Sequence, residues 1–379
     1  MMPILHLDFG KRLPKLSIIL WYKHPGECIG ALDRTRECGE QGGMNKQKLI
    51  GQEPVSLATV AAQAGVSVAT VSRIVNGETR RASAETVERV QKIVAALGYR
   101  PNHVGRTLRR RESRVVAMLS PNLDNPAMAA IAASVETALR SAGYVMILCD
   151  THDRADLQDE YLHVMRSQVV QGYIVVNPVR SEALSASVSR GDPIVFVGRR
   201  NPDGGGAFVG IDNRRAGRDA ADHLWARGIE EFGVIYPTQG SSATRDRVGG
   251  FITRLEELGL SDEAVRQAEA PGLSHLEVGY AAAQRLVNGH SWPQGLFCPS
   301  DLMAYGAYRL ALETKVRIPE DCRVVGVDDN KLNAWIAPWL TSVHIPYADF
   351  GAKVLDQLQS LWAGEYPSEQ LLPHTLIVR

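Results

Sequence analysis

The sequence has few cysteines, and their spacing indicates neither a metal site nor a disulfide framework. Five cysteines occur in 379 residues, without a Cys-x-x-Cys pair: Cys28, Cys38, Cys149, Cys298 and Cys322. Zinc sites and disulfide-stapled domains need closely and regularly spaced cysteines. We therefore expect reduced thiols, no metal and no cofactor, and a protein that resides in the cytoplasm.

The sequence also lacks an apolar run long enough to cross a membrane, which takes about 20 residues. Residues 16–21 form only a short apolar stretch, and no Ala-x-Ala cleavage site follows it as in a signal peptide. We expect residues 1–50 to be a poorly ordered extension, with Met44 as the natural start of translation. No membrane partner is expected.

No motif typical of an enzyme active site occurs in the sequence. A Gly-x-Ser-x-Gly elbow, a Walker lysine loop and a His-Glu-x-x-His helix are all missing. Gly204, Gly205 and Gly206 precede a predicted strand at 208–211, whereas a phosphate-binding glycine loop follows a strand. These absences favour a binding protein over an enzyme.

The net charge is zero, but it is unevenly distributed. Residues 51–114 contain 11 Lys and Arg against 5 Asp and Glu, whereas residues 115–379 contain 23 against 32. A basic module joined to a larger acidic one indicates a polyanionic partner for the basic part alone. The chain length predicts two or three packed units besides this small module.

Residues 55–101 are predicted to form three short helices. Ser56, Ser67 and Ser83 can each cap a helix, over residues 57–64, over residues 68–75 and over a third stretch that ends before Gly98. Only Gly65, Val66 and Ser67 separate the first two helices. A connection of three residues with a glycine is typical of a helix-turn-helix.

From residue 115 onward, short apolar runs alternate with amphipathic stretches. The runs predict buried parallel strands at 115–119, 145–149, 173–176, 194–197, 208–211, 232–235, 296–298 and 324–327. Alternation of strands and helices predicts open α/β sheets with right-handed crossovers. We expect the sheets to form two lobes, with a ligand at the carboxyl ends of the strands.

Residues 55–114, within the basic region, resemble the headpiece of the lactose/galactose-repressor (LacI/GalR) family. The resemblance is carried by Val60-Ala61-x-x-Ala64-Gly65-Val66-Ser67-x-x-Thr70-Val71-Ser72-Arg73-x-x-Asn76 and by Leu97-Gly98-Tyr99-Arg100-Pro101-Asn102. The probability that so many fixed positions agree by chance is very small. The resemblance implies a small all-α helix-turn-helix headpiece that binds double-stranded operator DNA.

The resemblance also implies which residues contact DNA. A helix that starts at Val68 places Val68, Ala69 and Arg73 near one exposed face, where small side chains can approach base edges. Arg73 could read a guanine or bind a phosphate, and the hydroxyls near the helix start suit phosphate oxygens. The full candidate set is Ser56, Ser67, Val68, Ala69, Thr70, Ser72, Arg73, Asn76, Tyr99, Asn102, Gly105, Arg106 and Leu108.

Residues 102–112 match the hinge helix of the family, which forms on operator DNA. There the residue that matches Leu108 is wedged into the minor groove, and such a wedge unstacks and kinks the duplex. The alternative is a plain basic linker. Gly105 stands where the family usually has alanine, and glycine costs about 1 kcal/mol of helix propensity, so the hinge is expected to order less readily here.

Residues 113–379 resemble the family's periplasmic-binding-protein-like (type 1) sensor, an α/β domain of two lobes. Matching segments include Asn125-Pro126, Asp212-Asn213, Arg247-x-x-Gly250-Phe251, Ser300-Asp301, Val327-Asp328-Asp329 and the end of the chain at 374–379. The resemblance implies an effector cleft lined by Asn125, Met128, Arg247, Ser300 and Asp328. Ser300 stands where asparagine is usual, and Met128 where aromatics are common.

Other roles are open for several of these residues. Arg247 could have the purely structural role of pairing with a helix carboxylate. Asp328 could likewise serve only to cap the following helix. Trp335 and Trp339 could belong to the core, to an interface or to a ligand platform.

We therefore expect a homodimeric repressor that binds a near-palindromic operator under the control of a small polar metabolite, with a sugar or sugar derivative as the leading candidate. Two rivals are a solute-binding protein for transport, which needs an export signal and no headpiece, and an enzyme, which needs a reactive constellation.

Overall fold

The computed structural model describes residues 56–99, 113–261 and 264–379. The chain divides into two compact units, Met1–Pro101 and Asn102–Arg379. The predicted extension at 1–50 and the predicted hinge at 102–112 lie outside the described residues.

The first unit contains helices α1 (Leu57–Ala64), α2 (Val68–Val75) and α3 (Ala84–Ala96). Each helix begins after a serine whose Oγ accepts a hydrogen bond from the backbone N–H three residues later, which satisfies a donor at the helix start. Gly65 ends α1 at φ 63°, a left-handed conformation that glycine adopts without strain. The predicted bounds of α1 and α2 are confirmed.

The first two helices cross at 106°, which lies in the range of helix-turn-helix pairs. They pack with α3 around a small apolar core of Val60, Ala61, Ala64, Val71, Ile74, Val90 and Tyr99. In the described ranges, no single helix is long and apolar enough to span a membrane, although this bent pair would pass by length and composition alone.

Within the described residues 113–261 and 264–379, the second unit contains two sheets, each with six strands. The strands are β1 (Val115–Ser120), β2 (Val145–Asp150), β3 (Gly172–Val176), β4 (Ile194–Val197), β5 (Ala207–Ile211), β6 (Phe232–Pro237), β7 (Val265–Ala270), β8 (Gly295–Phe297), β9 (Arg323–Asp328), β10 (Thr341–His344), β11 (Gln370–Leu372) and β12 (Thr375–Ile377). The strand order is β11-β5-β4-β3-β1-β2 in the first lobe and β12-β10-β9-β8-β6-β7 in the second.

Helices flank both sheets. They are α4 (Pro126–Ser141), α5 (Ala155–Ser167), α6 (Glu182–Ser189), α7 (Asn213–Trp225), α8 (Ser242–Glu257), α9 (His275–Leu286), α10 (Asp301–Glu313), α11 (Asn333–Ile336) and α12 (Tyr347–Trp362). Although α12 follows the second lobe in sequence, it packs on α4 of the first, where the Gly351 N–H donates to Ser134 Oγ at 2.8 Å. The chain therefore crosses between the lobes after β5, after β10 and between β11 and β12.

The predicted α/β class is confirmed, and each predicted apolar run coincides with a strand to within two residues at either end. Among the described strands, every pair is parallel except β10 with β12. Strand β7, with the sequence VRQAEA, was not predicted because it carries alternating polar residues, and the short strands β10 and β11 were not predicted either. Apolar runs identify strands made mostly of apolar residues, which are typical of parallel sheets, and they do not identify strands that carry several polar residues.

Helices α7 and α8 approach each other so closely that glycine is required at their crossing. A Cβ atom on Gly217 would lie 1.9 Å from the Arg247 carbonyl oxygen, and one on Gly250 would lie 2.1 Å from the Arg214 carbonyl oxygen. Both obstacles are backbone atoms, so the helices would have to separate to admit a methyl group. The crossing holds the first turn of α7 against the middle of α8.

We expect Gly250→Ala to lower the free energy of unfolding by about 1–3 kcal/mol, the usual effect of overpacking. Gly249→Ala is the matched control, because its Cβ would meet only the tip of the Arg214 side chain, at 3.7 Å. That control should be neutral or stabilising by up to about 1 kcal/mol, as for glycine replaced within a helix. Urea denaturation of both variants measures the difference, and equal midpoints would contradict the tight crossing.

Candidate functional site

The exposed face of α2 carries the residues predicted to approach DNA bases. Val71 and Ile74 face the core of the first unit, while Val68 is 46% exposed and Ala69 is also exposed. Arg73 lies one turn further on, where its Nε donates to the Ala69 carbonyl oxygen at 3.2 Å. The guanidinium group is thereby held along the same face as the two small residues.

Hydroxyl groups cluster at the start of α2. Ser67 Oγ accepts from the Thr70 N–H at 3.1 Å and lies 2.9 Å from Thr70 Oγ1. The same arrangement recurs at α1, where Ser56 Oγ accepts from the Thr59 N–H at 3.1 Å. Helix starts with exposed hydroxyl groups suit phosphate oxygens, because the positive end of the helix dipole adds to the hydrogen bonds.

The remaining headpiece candidates differ in their surroundings and in how far they are exposed. Asn76 ends α2 and donates from Nδ2 to the Ser72 carbonyl oxygen at 2.6 Å. Tyr99 is only 8% exposed and packs in the core of the first unit, so any DNA contact would involve a small part of its surface. The candidates Asn102, Gly105, Arg106 and Leu108 lie outside the described residues. The DNA-contact assignments stay predictions.

A cavity of about 700 Å³ lies between the two lobes, within the range of small-molecule sites. Its lining includes each residue proposed for the effector: Asn125, Met128, Arg247, Ser300 and Asp328. The first two come from the first lobe and the other three from the second. The structure thus brings together residues up to 203 positions apart in the sequence, although ligand contact itself stays a prediction.

Arg247, from the middle of α8, is fixed by partners on three other segments. Its Nε donates to Asn213 Oδ1 at 2.8 Å, one terminal nitrogen donates to the Pro299 carbonyl oxygen at 2.8 Å, and the Asp328 carboxylate lies 3.8 Å away. The side chain is 13% exposed. Arg247 therefore contacts a cleft carboxylate and retains donors that a ligand could use.

Asp328 ends β9 in an unusual backbone conformation, with φ 114°, and Asp329 follows at φ 49°. Non-glycine residues in this region are strained, and such strain is concentrated at functional sites. Asp328 Oδ1 accepts from the Tyr347 hydroxyl at 2.7 Å, which joins the second lobe to α12. Neither aspartate caps the following helix, since α11 begins after Leu332 without a side-chain cap.

A buried carboxylate supports the strained turn from behind. Asp301 is 1% exposed and accepts from Ser342 Oγ at 2.6 Å, from the Asn330 N–H at 2.8 Å and from Asn333 Nδ2 at 2.8 Å. Burial, and then the charge of Asp328, raises the pKa of Asp301. The hydrogen bonds tie the segment after β9 to β10 and to α11.

Ser300 caps α10 and holds a histidine at the cleft. Its Oγ accepts from the Met303 N–H at 3.3 Å and lies 2.9 Å from His275 Nδ1. Burial and the charges of Arg199 and Arg247 lower the pKa of His275 to about 4. The imidazole is therefore neutral at neutral pH and adds a hydrogen-bonding group without adding charge.

The first lobe contributes an apolar wall and a second ion pair. Met128 is 7% exposed, and its Sδ accepts a hydrogen bond of 3.5 Å from Asn177 Nδ2. Arg199, which follows β4, donates to Asp153 Oδ1 at 3.1 Å. Asn125 caps α4 through its own Oδ1, which accepts from the Ala127 N–H at 3.0 Å.

Sequence reasoning missed several residues that line the cavity: Asp153, Asn177, Arg199, His275 and Tyr347. Asp153, Asn177 and Arg199 follow β2, β3 and β4 within three residues, so the rule that ligands bind at the carboxyl ends of strands could have identified them. Neither His275 nor Tyr347 follows an apolar run directly. Trp335 and Trp339, considered as a ligand platform, do not line the cavity.

Within the described ranges, no group of three or more His, Cys, Asp or Glu side chains is placed to hold a metal ion. The three described cysteines are free and buried: Cys149, Cys298 and Cys322.

Two family models match the chain. Residues 56–102 match the model of bacterial regulatory proteins of the lacI family, and residues 221–379 match that of a periplasmic binding protein-like domain. The first match coincides with the helix-turn-helix unit and the second covers most of the second lobe and the end of the chain.

Among curated relatives, the HTH-type transcriptional regulator MalR of Streptomyces coelicolor is 33% identical over 335 residues, which cover 85% of this chain and 95% of MalR. Among solved structures, the lac repressor dimer bound to operator and the anti-inducer ONPF is 26% identical, covers 86% of this chain and 98% of its own, and has a TM-score of 0.75. A complex of the regulator CelR with cellobiose is 28% identical, covers 86% of this chain and 99% of its own, and has a TM-score of 0.63.

Three observations indicate the same family: the helix-turn-helix unit, the two-lobed α/β unit with its cleft, and these similarities. The chain belongs to the lacI family of bacterial regulatory proteins and is a DNA-binding transcriptional regulator.

Proposed function

We propose that this protein is a homodimeric repressor of the cytoplasm, not an enzyme, and that a small polar metabolite bound between the lobes controls its affinity for a near-palindromic operator. The observation that carries the proposal is the cavity itself, with Arg247 and Asp328 fixed in its wall. Each has a partner on another segment, so a ligand that competes for these groups also acts on the contacts between segments.

The headpiece supports sequence-specific binding by a dimer. One recognition helix of eight residues contacts few base pairs, and a two-fold pair of headpieces doubles the contacts and favours a palindrome. The basic charge of residues 51–114 supports binding that weakens as salt rises, because phosphate contacts release counterions.

An exposed apolar face in the second lobe supports the homodimer. On and beside α11, Leu332 is 49% exposed, Trp335 84% and Ile336 60%, and Leu276 of α9 is 47% exposed. Helices α9 and α10 adjoin closely, and the Tyr305 hydroxyl of α10 is hydrogen-bonded to Asn333 of α11. Neighbouring exposed apolar side chains favour an interface, and the similar lac repressor is a dimer.

The cleft supports a hydroxylated effector. Arg247 offers a donor fork and Asp328 an acceptor, which together suit vicinal hydroxyl groups. The related CelR structure holds cellobiose, a sugar. The absence of aromatics at Ala127 and Met128 disfavours a stacked, purine-like ligand at that wall, whereas Met128 offers an adaptable apolar surface.

Val68→Ala should shift base preference at one operator position per half-site, because Val68 can recognise a base only through shape or a thymine methyl group. The change in discrimination should be modest, about tenfold or less. Selection from random DNA sites compares the variant with Lys92→Gln, a control on the outer face of α3 where Lys92 pairs with Glu88. Identical selected motifs for Val68→Ala and the wild type would refute a role in readout.

Trp335→Asp should convert the dimer to a monomer at micromolar concentration, because it places a charge in an interface that must exclude water. Operator affinity should fall at least tenfold as the second headpiece is lost. Tyr366→Asp is the control, since Tyr366 is fully exposed but lies in the segment between α12 and β11. Sedimentation showing an intact dimer for Trp335→Asp would place the interface elsewhere.

Arg247→Ala should abolish the response to effector and leave operator binding intact. Loss of one partner of a buried charged hydrogen bond costs on the order of 2–5 kcal/mol, so effector affinity should fall about a hundredfold or more. The control is Arg254→Ala on the same helix, which removes a surface pairing with Asp222 and Glu257 worth about 1 kcal/mol or less. Calorimetry that finds wild-type effector affinity for Arg247→Ala would show the site to be misplaced.

A further inference from the structure

Arg199 is held in the cleft with hydrogen-bonding capacity that the described residues do not use. It follows β4 and lines the cavity, and its side chain is 19% exposed. One terminal nitrogen donates to Asp153 Oδ1 at 3.1 Å, whereas the Nε atom is buried and has no partner among the described residues. A buried donor without an acceptor is rare, because it has lost its hydrogen bonds to water without gaining a replacement. This arrangement favours an additional acceptor at Arg199.

The charges around Arg199 are mostly of the same sign. Burial, and also the positive charges of Arg245 and Arg247, lowers the pKa of Arg199, while Asp153 acts in the opposite direction. Arg245 donates a hydrogen bond to the Gly240 carbonyl oxygen at 2.7 Å. In the described part of the chain, no carboxylate lies within 4.0 Å of the Arg245 side-chain nitrogens. A group that accepts hydrogen bonds here is favoured further if it carries negative charge.

The carboxylates of the cleft do not balance these guanidinium groups. Asp153 is engaged by Arg199, and Asp328 accepts from Tyr347 and lies 3.8 Å from Arg247. Burial raises the pKa of Asp328, which makes its negative charge costly to maintain. His275 between the lobes is neutral at neutral pH, so it neither adds nor removes charge.

Helix starts add to the positive potential on the second-lobe side. Ser241 caps α8 and Ser300 caps α10, and both line the cavity. The positive ends of helix dipoles favour anions within the first turn. These dipoles add to the preference for an anionic ligand that the guanidinium groups establish.

We propose that the effector is a hydroxylated acid, a small polar metabolite with one carboxylate or phosphate group that accepts hydrogen bonds from Arg199, while Arg247 and Asp328 bind its hydroxyl groups. The proposal rests on the effector-controlled function above and narrows its ligand class. A neutral sugar could accept a hydrogen bond from the buried Nε donor of Arg199, but it would leave the excess positive charge of the guanidinium groups in the cleft without compensation. An acid group satisfies both at once.

The test uses matched probes on the full-length dimer. Glucose, gluconate and glucose 6-phosphate, together with ribose, ribonate and ribose 5-phosphate, share carbon skeletons within each set and differ in the acid group. We expect at least one acid to bind in calorimetry at least tenfold more tightly than its neutral parent. The carboxylate and phosphate arms identify which acid group the cleft prefers.

Arg199→Gln should lower the affinity for that acid at least tenfold, to about that of the neutral parent. Arg200→Gln is the control, because the neighbouring arginine pairs instead with Glu369 at 2.6 Å and does not line the cavity. Thermal unfolding checks that both variants remain folded. The proposal is overturned if the neutral parent binds as well as the acid, if Arg199→Gln binds the acid like the wild type, or if no acid in the panel binds.

Operator binding separates this inference from the proposed function. A neutral sugar that releases the operator from the wild type, and no longer does so in Arg247→Ala, would uphold the repressor function and overturn the acid preference. An acid that binds through Arg199 without changing operator affinity would uphold the acid site and overturn effector control.

Discussion

The fixed position of Arg247 is the constraint on which the cleft depends. Its guanidinium group is largely buried, and a buried charge is stable only with good hydrogen-bond partners. Those partners come from the start of α7, the segment after β8 and the end of β9. The glycine crossing of α7 and α8 brings the first of them within reach, so backbone packing and the polar network of the cleft depend on each other.

The same network connects the lobes. Asn213 lies directly after the first crossing of the chain between lobes, and Tyr347 lies directly after the second. Their hydrogen bonds to Arg247 and Asp328 place polar contacts beside the segments that any relative movement of the lobes must bend. A ligand that replaces such a contact changes the relative stability of lobe arrangements, which is the thermodynamic requirement for control by an effector.

The strained turn at Asp328 links the cleft to the exposed apolar face. Asp301 accepts hydrogen bonds from the Asn330 N–H and from Asn333 Nδ2, and Asn333 begins α11, which carries Trp335. Asp329 adds contacts with His344 at 3.0 Å and with Arg379 at 2.6 Å. The cleft wall and the proposed dimer face thus share one buried polar cluster.

The sequence by itself determined the elements whose signals are local. The N-caps at Ser56 and Ser67 and the C-cap at Gly65 act within one helical turn, so the bounds of these helices could be predicted from the sequence. Most of the buried strands could be predicted from apolar runs. The five proposed cleft residues were identified through family resemblance, since nothing local marks Met128 or Ser300 as neighbours. Only the tertiary structure decided that His275 and Tyr347 join them, that β7 completes a sheet edge, and that Tyr99 packs into a core. The reason is physical: hydrogen bonds, charge repulsion and burial in the cleft act between residues distant in sequence, and they exist only once the two lobes have folded.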